Sequence, residues 1–374
     1  MMSPLNKTVK WSILYKTNGE LCEGCVVLAR ILVLVFLGFW GVETSAQENH
    51  LFDADIALSA QSSTIRQQAI RQGLSEVLQR IMVAEPAEIE QDVTVQAILA
   101  DAPQYVATFH TAVEALSGKQ MMHVSFKKGA LLARLRNGSL SFWVQSRPKI
   151  LLWLVLEKEH KRGFFYPQRH EAMKDMLLAE SSQLGFQPLF PLFDFDDYVS
   201  VTVSDVVLNN SEKIKQVSNR YHADVILLGF VKQDTTCWQG RWSLLFREQT
   251  IAWNQLCTDL PTLIQETFRN VYRELAPKFA IHPDNKQAQD SFLIKVSGVN
   301  KLKDLHRLTE YFKTIDLIRS FYSYKIEGGH NFYKIEFNGD WNSLVNKFLL
   351  DKVIKTTQDV SVMPELAEFQ FWQE

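Results

Sequence analysis

The chain has 374 residues, of which 46% are hydrophobic and 22% charged, with 40 basic against 42 acidic side chains. This near-neutral balance excludes the basic surface that nucleic-acid binding requires, and the hydrophobic fraction excludes a disordered chain. No low-complexity tract or short-period repeat occurs, and the length exceeds one ordinary core, so two or three folded domains are expected.

The first fifty residues differ from the rest. Ile31 to Val42 form an uncharged run of 12 residues, with Arg30 just before it and Lys7, Lys10 and Lys16 upstream. A basic flank followed by a short apolar run is the order of an export signal, and a membrane-spanning helix takes about 20 apolar residues. Thr44-Ser45-Ala46 supplies the small residues of a cleavage site, so residues 1–46 are read as a signal segment cut after Ala46. Two competing readings remain: an uncleaved anchor in the inner membrane, with the chain facing the periplasm, and a buried helix of a cytosolic domain. Cleavage removes four basic side chains and three acidic ones, leaving a net charge of −3.

The following elements are expected in chain order. A strand near 50–60 precedes a helix capped at Ser62-Ser63-Thr64 and carrying Ile65, Ala69, Leu74, Val77, Leu78 and Ile81 on one face. A second helix follows Pro86, then strands at 106–116 and 121–126 and a short helix at 127–136, which together make a small α+β unit over 47–146. After Arg147-Pro148, Ile150 to Leu156 is apolar on both faces, as a strand covered on both sides should be. Helix 169–184, strand 186–192, an acidic loop, helix 211–222 and a second two-sided strand, 225–231, follow. A hairpin at 237–246 and 250–257 and an amphipathic helix at 260–279 complete an α/β layer domain over 147–280. Residues 281–289 (IHPDNKQAQ) are polar and contain proline, so they are read as a linker. Strand 291–299, helix 301–314, strands 317–326 and 331–338, helix 340–350 and an extended stretch at 353–363 give the order β-α-β-β-α-β. That order predicts a ferredoxin-like domain over 290–374.

Chemistry is sparse. The sequence contains no H-E-x-x-H, H-x-H, G-x-S-x-G, G-x-G-x-x-G or phosphate-loop pattern, and no cofactor or metal is expected. Ser125-Phe126-Lys127-Lys128 matches S-x-x-K without the partner motifs of that chemistry. One cluster stands out, Pro191-Leu192-Phe193-Asp194-Phe195-Asp196-Asp197, directly after an expected strand. Loops at the carboxyl ends of strands hold ligands in open α/β sheets, so Asp194, Asp196 and Asp197 are the candidate residues for a cation or a basic partner. The plainer alternative is a solvated acidic loop capping a helix. Trp143, Trp153, Trp238, Trp242 and Trp253 are read as packing residues rather than a glycan platform.

Several of these residues together resemble domain-of-unknown-function family 2066 of Gram-negative bacteria. They are Arg66, Ala69, Gly73-Leu74, Val77-Leu78 and Arg80; Phe142-Trp143, Arg147-Pro148 and Leu152-Trp153; Pro191-Leu192, Asp194 and Asp197; Ser218, Arg220-Tyr221 and Ala223; and Gly229, Trp238, Gly240 and Trp242. The resemblance covers about residues 47–280 and implies an exported envelope protein without an assigned reaction. The expected function is therefore that of a non-enzymatic periplasmic scaffold or accessory protein that binds another envelope protein or a cell-wall component. No nucleic acid is expected, and the membrane is met only through an uncleaved signal. The alternative is an envelope enzyme using carboxylates near Asp194–Asp197.

Cys22 and Cys25 precede the apolar run and leave with the signal, so Cys237 and Cys257 are the cysteines of the processed chain. A turn centred on Arg247 places antiparallel partners at a residue-number sum of 494, which puts Cys237 opposite Cys257 and Arg241 opposite Trp253. That register predicts a disulfide. Two buried free thiols are the alternative.

Overall fold

The computed structural model describes residues 50–60, 62–114, 118–283, 291–338, 341–357 and 363–372. The expected signal segment lies outside the described residues, as do residues 284–289 of the expected linker. Among the described residues no helix is long and apolar enough to cross a membrane. The fold class is the expected one: mixed α+β and α/β, with three sheets.

The first sheet forms from β1 (Asp53–Leu58), β2 (Val106–Val113) and β3 (Gln120–Phe126), in the antiparallel order β1-β3-β2. Helix α1 (Ser63–Ile81) covers it, and the Ser62 side chain accepts from the Ile65 N–H as its cap. The segment after Pro86 is two helices, α2 (Pro86–Gln91) and α3 (Val93–Ala100), because Asp92 breaks out of helical geometry and caps the second. Helix α4 (Lys128–Leu135) buries Leu131, Leu132 and Leu135.

The middle sheet is built on β4 (Ile150–Lys158), the two-sided strand. It pairs in parallel with the second such strand, β7 (Val225–Gln233). An unforeseen short strand, β5 (Lys161–Phe164), folds back on β4, and helix α5 (Glu171–Gln183) follows. Gly185, in left-handed backbone (φ 79), ends α5, and a β-carbon there would collide with Leu51. The strand expected at 186–192 shortens to β6 (Pro188–Leu189). The expected acidic loop instead contains two short helices, α6 (Phe195–Ser200) and α7 (Val203–Val207), and α8 (Ser211–Ser218) comes next. Strands β8 (Trp238–Phe246) and β9 (Gln249–Thr258) form the hairpin, and α9 (Leu260–Leu275) packs against it. Apolar residues fill both faces of this sheet. Trp143, Leu177, Phe268 and Phe279 lie on the α5 and α9 side, and Trp153, Ile214 and Leu228 on the α8 side.

The third sheet comprises β10 (Phe292–Ser297), β11 (Ile318–Glu327) and β12 (His330–Phe337), with α10 (Leu302–Thr314) and α11 (Trp341–Asp351) as its helices. Its last part differs from the expected stretch at 353–363, because two strands form, β13 (Ile354–Thr356) and β14 (Leu366–Phe371). β14 runs parallel to β10 and pushes β13 to the edge, giving the order β11-β12-β10-β14-β13. Burial explains the exchange: β14 turns Ala367, Phe369 and Phe371 inward, whereas β13 buries Ile354 alone.

Asn49–Glu374 forms one compact unit. A single apolar cluster runs from Leu78 and Leu135 through Phe312 to Phe369, so the first and third sheets share it. Ile281, the first residue of the expected linker, is buried and bridges Phe142.

Candidate functional site

Asp194 caps α6, accepting from the Asp197 N–H at 3.1 Å, and receives the Arg220 guanidinium, whose Nη1 is 2.9 Å from Oδ1. The Arg220 hydrogen bond holds the Asp194 carboxyl below its ordinary range, and the same bond holds the Arg220 proton more tightly. Asp197 is 1% exposed; it accepts from the Phe193 N–H at 2.9 Å and from the Tyr221 hydroxyl. Burial and then that hydrogen bond push Tyr221 up to about 12. The Tyr221 oxygen in turn accepts from the Leu192 N–H at 2.9 Å. Asp196 stands at the solvent edge, 3.6 Å from Arg220. The three aspartates thus meet, but around their own arginine and tyrosine. They brace a loop that presents Leu192, Phe195 and Tyr198 to solvent at 71%, 76% and 76% exposure.

A different feature has the shape of a binding site. Three long helices, with the short α2 beside them, converge on a cleft of about 530 Å³, within the size range of ligand pockets. α1 contributes Glu76, Gln79 and Arg80; the α1–α2 turn and α2 contribute Glu85, Glu88 and Ile89; α5 contributes Glu180 and Gln183; and α9 contributes Gln265, Arg269, Tyr272 and Arg273. Val83, Leu184, Pro86 and Pro277 add apolar lining. Acidic, basic and apolar side chains therefore share the lining of one cleft.

Much of this wall is fixed by arginines bonded to backbone carbonyls. Arg80 donates to Gln183 at 3.0 Å, His50 at 3.0 Å and Asp53 at 2.7 Å. Arg147 lies behind, donating to the carbonyls of Arg80 at 2.8 Å, Leu184 at 3.0 Å and Trp143 at 3.0 Å. Its guanidinium stacks 3.9 Å from the Trp143 ring. The Tyr272 hydroxyl donates to the Met82 carbonyl at 3.0 Å, and burial pushes it up to about 12. Arg273 pairs with Glu85 at 3.1 Å. By contrast, Arg269, Glu88 and Glu180 have no hydrogen bond or ion pair from their side chains among the described residues. Rigid walls with free charges are suited to holding a ligand that brings its own charges.

Sequence reasoning missed this cleft. Its only local trace is the spacing: Glu76, Gln79 and Arg80 share one face of α1, and Gln265, Arg269 and Arg273 share one face of α9. The convergence of three helices is a tertiary fact.

Cys237 and Cys257 are disulfide-bonded, with Cα atoms 5.3 Å apart. The register is not the expected one. Phe246 pairs with Gln249 across a two-residue turn, and Arg241 faces Asn254 rather than Trp253. A bulge between Gln255 and Thr258 then shifts the pairing once more, so that Trp238 faces Thr258 and the bonded cysteines lie diagonal to each other rather than directly opposed.

Residues 45–144 match the family model described as a domain of unknown function (DUF8605). That match is to a different family from family 2066, so the expected membership gives way to the coarser finding of an unknown-function domain. No curated protein matches the chain. One similar solved structure is a formyltetrahydrofolate deformylase from Pseudomonas putida. It is 12% identical, covers 52% of this chain and 89% of its own, and has a TM-score of 0.18. Similarity at that level carries no argument.

Proposed function

We propose that this chain is an exported, non-enzymatic accessory protein of the cell envelope, which holds a charged segment of another envelope component in the three-helix cleft. The cleft carries the reading. Its walls are pinned by Arg80, Arg147 and Tyr272, while Arg269, Glu88 and Glu180 keep their charges free for a ligand. A peptide with both signs of charge would pair with both sets and lay its apolar parts on Val83, Ile89 and Leu184. The Cys237–Cys257 disulfide supports an oxidising compartment.

The test is a photo-crosslinking residue placed at Gln265, in the cleft, and at Lys303, outside it, in living cells. A discrete adduct from position 265, absent from 303 and lost in Arg269→Glu, is expected. Equal labelling from both positions refutes the cleft. Fractionation should recover the chain from the periplasm with Gln47 at its start, and the intact chain in cytosol refutes export.

A further inference from the structure

We propose that two copies of this chain associate by pairing strand β2 with its own counterpart, extending the first sheet across a two-fold axis. Edge strands expose unpaired N–H and C=O groups, and folded proteins blunt them with charge, proline, bulges or brevity. Most other edges among the described residues carry such devices. β1 bears Asp53 and Asp55; β11 bears Arg319, Lys325 and Glu327 with two register shifts. β5, β6 and β13 have four residues or fewer; β9 (QTIAWNQLCT) has no charge or proline either, but its far end is bulged and tied to β8 by the disulfide. β2 (VATFHTAV) has eight residues, no lysine, arginine, aspartate, glutamate or proline, and one irregularity near its start. Residues 107–113 are all exposed, because α1 packs chiefly over β1 and β3 and meets β2 through Arg66, whose guanidinium lies 5.9 Å from the centre of the Phe109 ring. Phe109 and Val113 are left 46% and 67% exposed.

The hydrogen-bond phase shows which groups are free. The Glu114 N–H donates to the Lys119 carbonyl at 2.9 Å, so in the antiparallel ladder with β3 the even-numbered residues of β2 bond inward. Phe109, Thr111 and Val113 therefore direct their N–H and C=O groups to the open edge. A two-fold axis through His110 pairs Phe109 with Thr111 of the second copy, Ala107 with Val113, and Thr108 with Ala112. Every pair is uncharged, and Phe109 and Val113 stay on the face shared with Met122 and Val124, the core face. A second copy is thus complementary residue by residue. A single strand pair buries less than the roughly 1,200 Å² of a stable interface, so the association is weak, on the order of 10–100 µM.

Sedimentation velocity on the chain from Gln47 onward, over about 1–500 µM, should show monomer giving way to dimer. Thr111→Pro should remain monomeric. It removes an outward N–H and no bond to β3. In the proposed register the two copies of residue 110 form a non-hydrogen-bonded pair with Cα atoms about 4.5 Å apart, whereas the two copies of residue 108 lie about 13 Å apart. Under oxidation His110→Cys should therefore give a covalent dimer and Thr108→Cys should not. If circular dichroism shows that Thr111→Pro unfolds, the cysteine pair decides alone. Monomer at every concentration, association unaffected by a folded Thr111→Pro, equal crosslinking from both cysteines, or a ladder of larger species each overturns the proposal.

Discussion

Arg147 offers the sharpest test of how this fold is held. Its guanidinium is tied to four backbone carbonyls, those of Arg80, Trp143, Gln145 and Leu184, and lies 3.9 Å over the centre of the Trp143 ring. It has no carboxylate partner among the described residues. Burial pulls its pKa down to about 10, which corresponds to a cost of at most about 3 kcal/mol for keeping the charge at neutral pH. Arg147→Ala removes that cost, but orphans four carbonyls at about 1–3 kcal/mol each and opens a cavity. With the carbonyls taken at the low end, because water can reach some of them once the side chain is gone, the balance is a loss of about 3–5 kcal/mol. Arg147→Lys keeps the charge and its cost, yet an ammonium has three donors and no planar fork, so it should still lose about 2 kcal/mol or more. Urea unfolding of the unreduced protein, followed by tryptophan fluorescence, measures both. A lysine variant within about 0.5 kcal/mol of wild type would refute the argument, since charge rather than the fork would then be what matters.

Three further outcomes follow from single contacts. Thiol labelling of denatured, unreduced protein should find Cys237 and Cys257 blocked, and Cys237→Ser should cost about 3 kcal/mol, the loop-closure value for a separation of 20 residues. Two labelled thiols in processed protein refute the bond. The hydrogen bond from Arg162, the largest influence, holds the Glu157 carboxyl below its ordinary value. That stabilisation is present above the unfolded carboxylate range and is lost as pH falls through the lowered value. Arg162→Gln should therefore lose most stability near pH 7 and converge with wild type in acid, below the lowered Glu157 value; a gap that widens in acid contradicts this. At Gly229 a β-carbon would lie 2.8 Å from Leu154 Cδ1 and nearer still to the Trp242 ring. Gly229→Ala should cost about 1–3 kcal/mol by thermal melting, and Trp242→Phe in the same chain should recover part of it. An unchanged melting temperature would mean that the strands part without strain.

What could be read from the sequence was whatever one segment settles by itself. Ile150–Val155 and Val225–Leu228 are apolar at successive positions, which only a strand covered on both faces tolerates, and both proved central and parallel. Ser62 before an amphipathic run marked the start of α1 without any neighbour's help. The hairpin shows where such reasoning stops. Its turn, Arg247-Glu248, lacks the glycine or asparagine that fixes a register, and Arg247 takes left-handed backbone (φ 54) without any sequence signal for it. The pairing sum is therefore 495 rather than 494 where Arg241 faces Asn254, and 496 beyond the bulge in β9 where Trp238 faces Thr258, so the cysteines are bonded without being register partners. The acidic loop shows the same limit, although its plainer reading, an acidic loop capping a helix, matches the Asp194 cap of α6. Three aspartates within four residues look alike in sequence, but their partners Arg220 and Tyr221 arrive from 23 to 26 residues away and turn a candidate ligand cage into a brace. The cleft needs α1, α5 and α9 together, elements separated by about a hundred residues of chain. Its free charges at Arg269 and Glu180 look on their own helices like ordinary solvated positions. The proposed binding cleft therefore lies where amphipathic patterns are least informative, on the polar faces, whose neighbours are set by the packing of the apolar ones.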